Sequence, residues 1–388
     1  MKPLRIAALL PAALLLAAAL PERSIADRAA WNADYARIKA GMAQHYANLD
    51  WVRDHRGLDL RALDRRTQAR IDSASKHGQA LSALRDFVAA FRDPHLELTG
   101  RGPSRKAAEG RPEDPPAGSD CRAAGYADSR LGFARHFAAI EGWRPLEDGP
   151  FATARIGDTG VIRIASFREE DYGAACRRVF RAGMRERALR YAVRADLQRA
   201  LIATLQGMRA NGARRLIVDI TGNGGGSEWG REAVALFTDR AMRRTAPRIA
   251  NPACDRASVW AGDNPCLVFA DQAQISTVAG IGAWAGPLWV LIDGGTASAA
   301  EEFAGWLSDN RVALLVGQPS YGAGCGYVNG GAPIALRAFP LILKMPNCAR
   351  FAADGRNEIE GWRPDIALPD PRSDAQRWAR ELGRVVAQ

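Results

Sequence analysis

Ser298 is the residue whose type and setting best suit a nucleophile. It follows the glycine-containing segment 293–297 and comes directly before an apolar helical pattern that begins at Ala299. A serine at such a turn exposes its hydroxyl beside backbone N–H groups, and these donors, with the helix dipole, favour a negative oxygen there. A structural role is the alternative, because Ser298 and Glu301 have the spacing of a capping box.

A second glycine-rich segment, 222–226, reads Gly-Asn-Gly-Gly-Gly and follows an apolar strand pattern. Glycine lets backbone N–H groups turn toward a ligand without obstruction by a side chain. The segment matches neither the P-loop pattern nor a full GxGxxG, so a phosphate cradle is not favoured. It predicts an oxyanion donor facing Ser298, or else a tight turn that needs positive φ.

A serine is a weak nucleophile and needs a base. Among the five histidines of the chain, His95 follows Asp93-Pro94, which ends a helical pattern, and it precedes a strand-like alternation. This setting predicts a fixed imidazole, with Glu358 or Glu360 as the carboxylate partner. The remaining histidines lie in polar or helical surroundings and are expected to be surface or packing residues: His45, His55, His77 and His136.

The surrounding patterns predict the elements that position these residues. Apolar runs at 216–220, 288–292 and 312–316 alternate with helical patterns, which indicates an α/β core with a largely parallel sheet. Active sites in such sheets lie where strands end and helices begin. Before the core, helical patterns dominate, one of them over 79–91. The other has an apolar stripe made of Trp31, Tyr35, Ile38, Met42 and Tyr46.

The first residues have the order of a secretory signal peptide. Lys2 and Arg5 precede an apolar run over 6–20, and small residues follow at 24–26. The run is shorter than the roughly 20 residues that span a membrane, although a tilted anchor is the alternative. We therefore expect a signal peptide over 1–26 and an exported chain, periplasmic or secreted, without stable membrane insertion after cleavage.

Composition divides the mature chain and limits its partners. A Gly- and Pro-rich stretch over 102–120 predicts a linker, with a helical domain over 27–118 and an α/β core domain over 119–388. The net charge of +10 comes from residues spread along the chain, without a nucleic-acid motif. We therefore expect a polypeptide partner and no nucleic acid, and the sequence leaves the oligomeric state open.

Six cysteines, an even number, agree with an oxidising compartment. No cysteine or histidine cluster has the ligand spacing of a metal site, and no cofactor is predicted. Nearness in the chain favours the disulfide pairs Cys121–Cys176, Cys254–Cys266 and Cys325–Cys348.

Five segments, taken in order, resemble the tail-specific (C-terminal processing) serine peptidases and their relatives, the tricorn core protease and the interphotoreceptor retinoid-binding protein modules. The resemblance runs through most of the mature chain. It implies a crotonase- or ClpP-like α/β core behind a helical amino-terminal domain, and the interval after His95 is too short for a PDZ module. The segments are 91–95 (Phe-Arg-Asp-Pro-His), 216–226, 296–301 (Thr-Ala-Ser-Ala-Ala-Glu), 316–322 and 361–365 (Gly-Trp-Arg-Pro-Asp).

The resemblance also assigns roles. Processing peptidases use a Ser-Lys dyad, but Ala323 stands at the position of that lysine, and Lys344 is the fallback base. The chain is therefore more similar to the tricorn-like branch, which uses Ser, His and Glu. The implied catalytic residues are Ser298, His95 and Glu358, with Glu360 as the alternative acid. The implied oxyanion donors are the N–H groups of Gly225 and Ala299, and the pairing could shift by one glycine.

These observations together predict an exported serine peptidase that hydrolyses peptide bonds through a Ser-His-Glu triad and an acyl-enzyme intermediate. Two alternatives stay open at this point. One is a binding protein without proteolytic activity on the same scaffold, and the other is an esterase that uses the same triad.

Overall fold

The structure is a computed structural model, and it describes residues 25–100, 114–129, 132–146, 149–250, 256–262 and 274–387. The predicted signal peptide falls almost entirely outside these residues, as do the predicted Cys254–Cys266 pair and most of the predicted linker. Across the described ranges, no helix is both long and apolar enough to cross a membrane.

Helices come first in the chain, and strands alternate with helices afterwards. The helices are α1 (Ile25–His45), α2 (Leu49–Asp54), α3 (Leu60–Asp72), α4 (His77–Ala89), α5 (Gly173–Val179), α6 (Glu186–Ala210), α7 (Trp229–Ala233), α8 (Ala299–Asp309) and α9 (Ala375–Ala387). The strands are β1 (Glu97–Gly100), β2 (Trp143–Pro145), β3 (Thr153–Ile156), β4 (Thr159–Arg163), β5 (Arg215–Asp219), β6 (Met242–Thr245), β7 (Arg248–Ile249), β8 (Ile275–Val278), β9 (Leu288–Ile292), β10 (Leu314–Gly317), β11 (Ile334–Ala335), β12 (Leu341–Lys344), β13 (Cys348–Ala349) and β14 (Ile366–Ala367).

The central sheet has the strand order β14–β10–β9–β5–β4–β3–β2. From β14 to β4 the neighbouring strands are parallel, and β3 and β2 complete one edge in antiparallel pairing. The predicted α/β core with a largely parallel sheet is therefore confirmed. Asp219 of β5 and Val316 of β10 both lie opposite Leu291 of β9, so the loops after these three strands start at the same edge of the sheet.

Both faces of this sheet are covered, which explains why its strands are apolar without alternation. Val218 and Val290 belong to the hydrophobic cluster that also contains residues of α6 and α8. Their neighbours Ile217 and Leu291 belong to a second cluster on the other face, together with Trp378 of α9. Successive side chains of each strand thus enter different cores.

The amino-terminal helices α1 to α4 pack together as the apolar spacing predicts. Every residue of the predicted α1 stripe is at most 2% exposed. This cluster also includes later residues such as Leu336, Phe339 and Leu343, and β1 pairs antiparallel with β12. His95, between α4 and β1, therefore lies where the helical part contacts the later chain. The domain boundaries stay a prediction.

Two of the three predicted disulfides fall within the described residues, and both are confirmed. Cys121 and Cys176 are joined with a Cα–Cα distance of 6.0 Å. Cys325 and Cys348 are joined with a Cα–Cα distance of 5.5 Å, and this second bridge lies beside the loop that follows β10.

Candidate active site

Ser298 lies at the turn between β9 and α8, with backbone angles φ 56° and ψ −115°. Such angles are costly for a residue with a Cβ atom, by about 1–3 kcal/mol, and they persist where neighbours enforce them. Glu301 is one such neighbour, because its Oε2 accepts the Ser298 N–H at 2.9 Å. The capping box is therefore present. It is not the only contact of the serine side chain, since Ser298 Oγ also lies 3.2 Å from His95 Nε2.

The imidazole of His95 is held between the serine and a backbone carbonyl. Nδ1 lies 2.9 Å from the carbonyl oxygen of Ala323. Since a carbonyl can only accept, Nδ1 carries a proton, and in the neutral ring Nε2 is left with the lone pair that faces Ser298. The structure therefore brings the predicted nucleophile and base together in a geometry suited to proton transfer.

A polar network fixes the turn that carries His95. Asp93 is buried, and its Oδ1 accepts the His95 N–H at 3.0 Å. Its Oδ2 accepts from the Tyr46 hydroxyl and from Asn48 Nδ2, each at 3.0 Å. The segment between helices α1 and α2 is thereby connected to the turn that carries the base.

The imidazole ring is also enclosed on its sides. Tyr327 meets it edge-on with ring centroids 5.4 Å apart, and the Tyr327 hydroxyl donates to the His95 carbonyl oxygen at 2.5 Å. A Cβ added at Gly326 would come within 2.8 Å of His95 Nε2 and Cδ2, so only glycine leaves room for the ring. Burial in this setting lowers the pKa of His95 below its usual 6.5, which keeps the base neutral.

Glu358 does not orient His95 directly, which corrects the predicted triad. Its carboxylate forms ion pairs with Arg244 and, at 2.5 Å, with Arg350. Burial alone raises the pKa of Glu358, but the two guanidinium charges lower it to about 2. Ala323 takes the place next to Nδ1 that the acid was expected to fill. The sequence could not show this, because every residue has a backbone carbonyl.

Glu358 reaches the site through Arg350. One Nη atom of this buried arginine donates to the Ser298 carbonyl at 3.0 Å and to the Gly324 carbonyl at 2.9 Å. Arg350 thus holds the nucleophile turn and the loop that supplies Ala323. The sequence motifs gave no signal for this residue.

Among the described residues, no hydrogen bond or ion pair joins either fallback residue to Ser298 or His95. Glu360 is exposed and accepts from Trp51 Nε1 at 3.0 Å and Arg56 Nε at 2.8 Å. Lys344 is exposed on β12, where its Nζ lies 2.7 Å from a carboxylate oxygen of Glu97. Each is engaged in a surface contact of its own.

The predicted oxyanion donors receive different outcomes. The Gly225 N–H is already used, since it donates to Asn223 Oδ1 at 2.9 Å, so this assignment is corrected. Gly225 instead allows a close approach, because its φ is 97° and an added Cβ would lie 2.8 Å from Ser298 Cβ. Among the described residues, no acceptor is found for the N–H groups of Ala299 and Gly226. Both therefore stay available.

In the described part of the chain, no group of three or more His, Cys, Asp or Glu side chains could hold a metal ion.

Comparisons with known proteins identify the family of the chain and its fold. Residues 158–368, more than half of the chain, match the model of Peptidase family S41. The structure of mature CPAF has a TM-score of 0.61 at 14% identity, covering 93% of this chain and 97% of that chain. A protein from Parabacteroides merdae ATCC 43184 has a TM-score of 0.58 at 14% identity, covering 92% and 96%. At this identity both show the shared fold alone. No curated protein matches the chain.

Proposed function

Because the chain belongs to peptidase family S41 and is a serine peptidase, we propose that Ser298 is its nucleophile and His95 its base. The observation that carries this proposal is the 3.2 Å distance from His95 Nε2 to Ser298 Oγ, with Nδ1 held on the Ala323 carbonyl. The missing lysine at position 323 supports a histidine-based branch of the family over a Ser-Lys dyad.

In the proposed reaction, His95 takes up and gives back a proton twice, once in acylation and once in deacylation. Nε2 takes the proton of Ser298 while Oγ attacks the carbonyl carbon of the scissile peptide bond. The imidazolium then gives this proton to the leaving amine as the C–N bond breaks, which leaves an acyl-enzyme. Water, deprotonated by the same Nε2, then attacks the acyl carbon, and Nε2 returns the proton to Ser298 Oγ as the bond between Oγ and the acyl carbon breaks. The charge on the imidazolium is stabilised through Nδ1–H and the Ala323 carbonyl.

The oxyanion of the tetrahedral intermediate needs N–H donors beside Ser298. We assign Ala299, at the first position of α8, as one donor, because its N–H has no acceptor among the described residues. Gly226 takes the place first given to Gly225, a shift of one residue, since the Gly225 N–H is occupied. Glu358 contributes by fixing Arg350 and, through it, the Ser298 backbone.

A polypeptide is the proposed substrate, in the periplasm or outside the cell. The family supports peptide-bond hydrolysis, and two disulfides within the described residues are compatible with export.

The test compares the mature protein with Ser298→Ala, using a fluorophosphonate probe followed by intact-mass measurement, and an unfolded protein as substrate. Ser308→Ala on the same helix is the matched control. We expect labelling and cleavage in the wild type and the control, and a loss of about 10³-fold or more in Ser298→Ala. Equal labelling in all three would exclude Ser298 as nucleophile. Labelling without cleavage would favour ester substrates. The absence of both labelling and cleavage in the wild type would favour a binding protein.

The identity of the base is tested by His95→Ala and Lys344→Ala. Removing His95 is expected to abolish turnover to a similar extent, because the serine loses its proton acceptor. Lys344→Ala is expected to keep wild-type turnover, since Lys344 contacts Glu97 at the surface. The reverse pattern would overturn the choice of His95.

A further inference from the structure

Glu301 is the most completely hydrogen-bonded carboxylate near the site, and the proposed reaction does not use it. It lies one turn after Ser298 in α8 and is 0% exposed. Five neutral groups donate to it: the Ser298 N–H at 2.9 Å, the Ser320 hydroxyl at 2.5 Å, and the N–H groups of Gly322 at 2.7 Å, Ala323 at 2.8 Å and Gly324 at 3.1 Å.

These donors belong to two separate segments of the chain. Ser298 is on the nucleophile turn, and the other four are on the loop after β10. A carboxylate accepts through two oxygens with about four lone-pair sites, so five donors occupy all of them. Glu301 therefore fixes the loop against the nucleophile turn by backbone contacts that only an acceptor at both oxygens can make.

One of these contacts acts on His95 through a single peptide group. The peptide between Ala323 and Gly324 gives its N–H to Glu301 and its carbonyl to His95 Nδ1. In a planar trans peptide the N–H and C=O point in opposite directions, so the carboxylate and the imidazole lie on opposite sides of this group. A negative charge at the N–H end also polarises the peptide and makes its carbonyl a stronger acceptor.

We propose that Glu301 is a positioning residue that sets the tautomer of His95 through the Ala323–Gly324 peptide. In a catalytic triad, a directly bonded carboxylate holds the imidazole in one tautomer and orientation. Glu301 does the same through one intervening peptide group. This inference rests on the proposed roles of Ser298 and His95. It also explains how the site works while Glu358 is bound to two arginines.

Glu301→Gln is the decisive substitution, because it keeps the shape but turns one acceptor oxygen into an NH₂ donor. Whichever way the amide is placed, NH₂ faces at least two of the five donors. Asp34→Asn is the matched control: Asp34 is also 0% exposed and also accepts backbone N–H groups, from Arg337 at 2.9 Å and Ala338 at 2.7 Å. None of the hydrogen bonds of Asp34 involves Ser298 or His95.

The readout is the His95 tautomer in long-range ¹H–¹⁵N spectra of the histidine-labelled mature protein. The chain has five histidines, and the His95 signals are assigned by their loss in His95→Gln. In the wild type we expect a proton on Nδ1. In Glu301→Gln we expect a mixture with the Nε2–H form and a kcat lower by about 10- to 100-fold, with a smaller change in KM. Asp34→Asn should keep the wild-type tautomer even if its melting temperature falls.

Two results would overturn the proposal. One is a Glu301→Gln protein with the Nδ1–H form and the kcat of the wild type. The other is a wild-type protein whose His95 carries its proton on Nε2. This second measurement does not depend on whether a variant at position 301 folds. Failure of the proposed function is distinct, because it would appear as absent phosphonate labelling at Ser298 while the tautomer is still measured.

Discussion

The two halves of the active site are positioned by different kinds of structure. Ser298 stands between the buried strand β9 and the buried helix α8, and both elements contribute residues to the hydrophobic cluster of the sheet. His95 stands on a turn that Asp93 holds through Tyr46 and Asn48, beside the separate cluster of the helical part. Regular secondary structure places the nucleophile, whereas buried hydrogen bonds place the base.

The loop over residues 320–327, which we call the bridging loop, connects the two halves. On one side it donates to Glu301, next to the nucleophile. On the other side Ala323, Gly326 and Tyr327 surround the imidazole. The distance between nucleophile and base therefore depends on this loop.

The largest effect is expected from Gly326→Ala, which acts on the base half alone. The added methyl would lie 2.8 Å from His95 Nε2, so the ring has to leave its present position beside Ser298. A displacement of about 1 Å in such a pair costs roughly 10²-fold in rate. We expect kcat/KM on a peptide substrate to fall by about that factor, with little change in the melting temperature.

Gly294→Ala is the control from the nucleophile half. It lies in the turn before Ser298, yet a Cβ there would meet nothing within 4 Å. We expect wild-type kcat/KM. If Gly326→Ala were as active as Gly294→Ala, the bridging loop would adjust to the added methyl without displacing His95. The loop would then not set the position of the base.

The next effect concerns Glu358, which stabilises both halves by charge. Glu358→Gln leaves Arg244 and Arg350 buried with less compensation, and breaking such a group costs about 3–5 kcal/mol in the free energy of unfolding. The exposed Glu360→Gln is the matched control and should change this free energy by less than about 1 kcal/mol. Urea unfolding of both variants gives the comparison, and equal stability would contradict it.

The same residue gives a pH dependence with a defined sign. The pKa of Glu358 is lowered from its ordinary 4.5 to about 2, so the folded state favours the charged form. This contribution is complete above pH 4.5 and is lost as pH falls toward 2. We expect the acid-side loss of stability between those values to be smaller in Glu358→Gln than in the wild type.

The difference between the halves also explains what the sequence could predict. Ser298 was predictable because its neighbourhood is defined by local signals: an apolar run, a glycine-containing turn and a helical pattern. The structure has a strand, a turn and a helix at these places. His95 needed its place in an ordered set of motifs, since its own surroundings are ordinary. The two side chains lie 3.2 Å apart in the structure, so the order of segments carried information on spatial proximity.

The errors concern hydrogen bonds whose partners depend on the local geometry of a loop or on tertiary packing. Glu358 stands at the position expected from the resemblance, but its charge is paired with Arg350, eight residues before it, and with Arg244, which is distant in sequence. The Gly225 N–H is consumed by its neighbour Asn223, which loop composition does not reveal. Ala323 was visible only as the loss of a lysine, although its carbonyl holds the base.

The smallest effect is expected from the disulfides, which differ in their distance from the bridging loop. Cys325 lies between Gly324 and Gly326, and its partner Cys348 is two residues before Arg350. Replacing both with alanine should loosen the loop, and we expect kcat to fall by up to about 10-fold. Cleavage rates of the variant at saturating substrate measure this change.

Replacing Cys121 and Cys176 with alanine is the control. Compared with the loss of Cys325–Cys348, it should lower the stability more and kcat less. This pair closes 55 residues of chain against 23 for Cys325–Cys348. Loop entropy therefore makes its loss the more destabilising of the two, by about 0.8 kcal/mol. Its kcat should stay at the wild-type value, because neither cysteine adjoins the bridging loop. A kcat that follows the melting temperature in both variants would mean that each disulfide acts only through global stability. That result would contradict the proposal that the bridging loop positions the base.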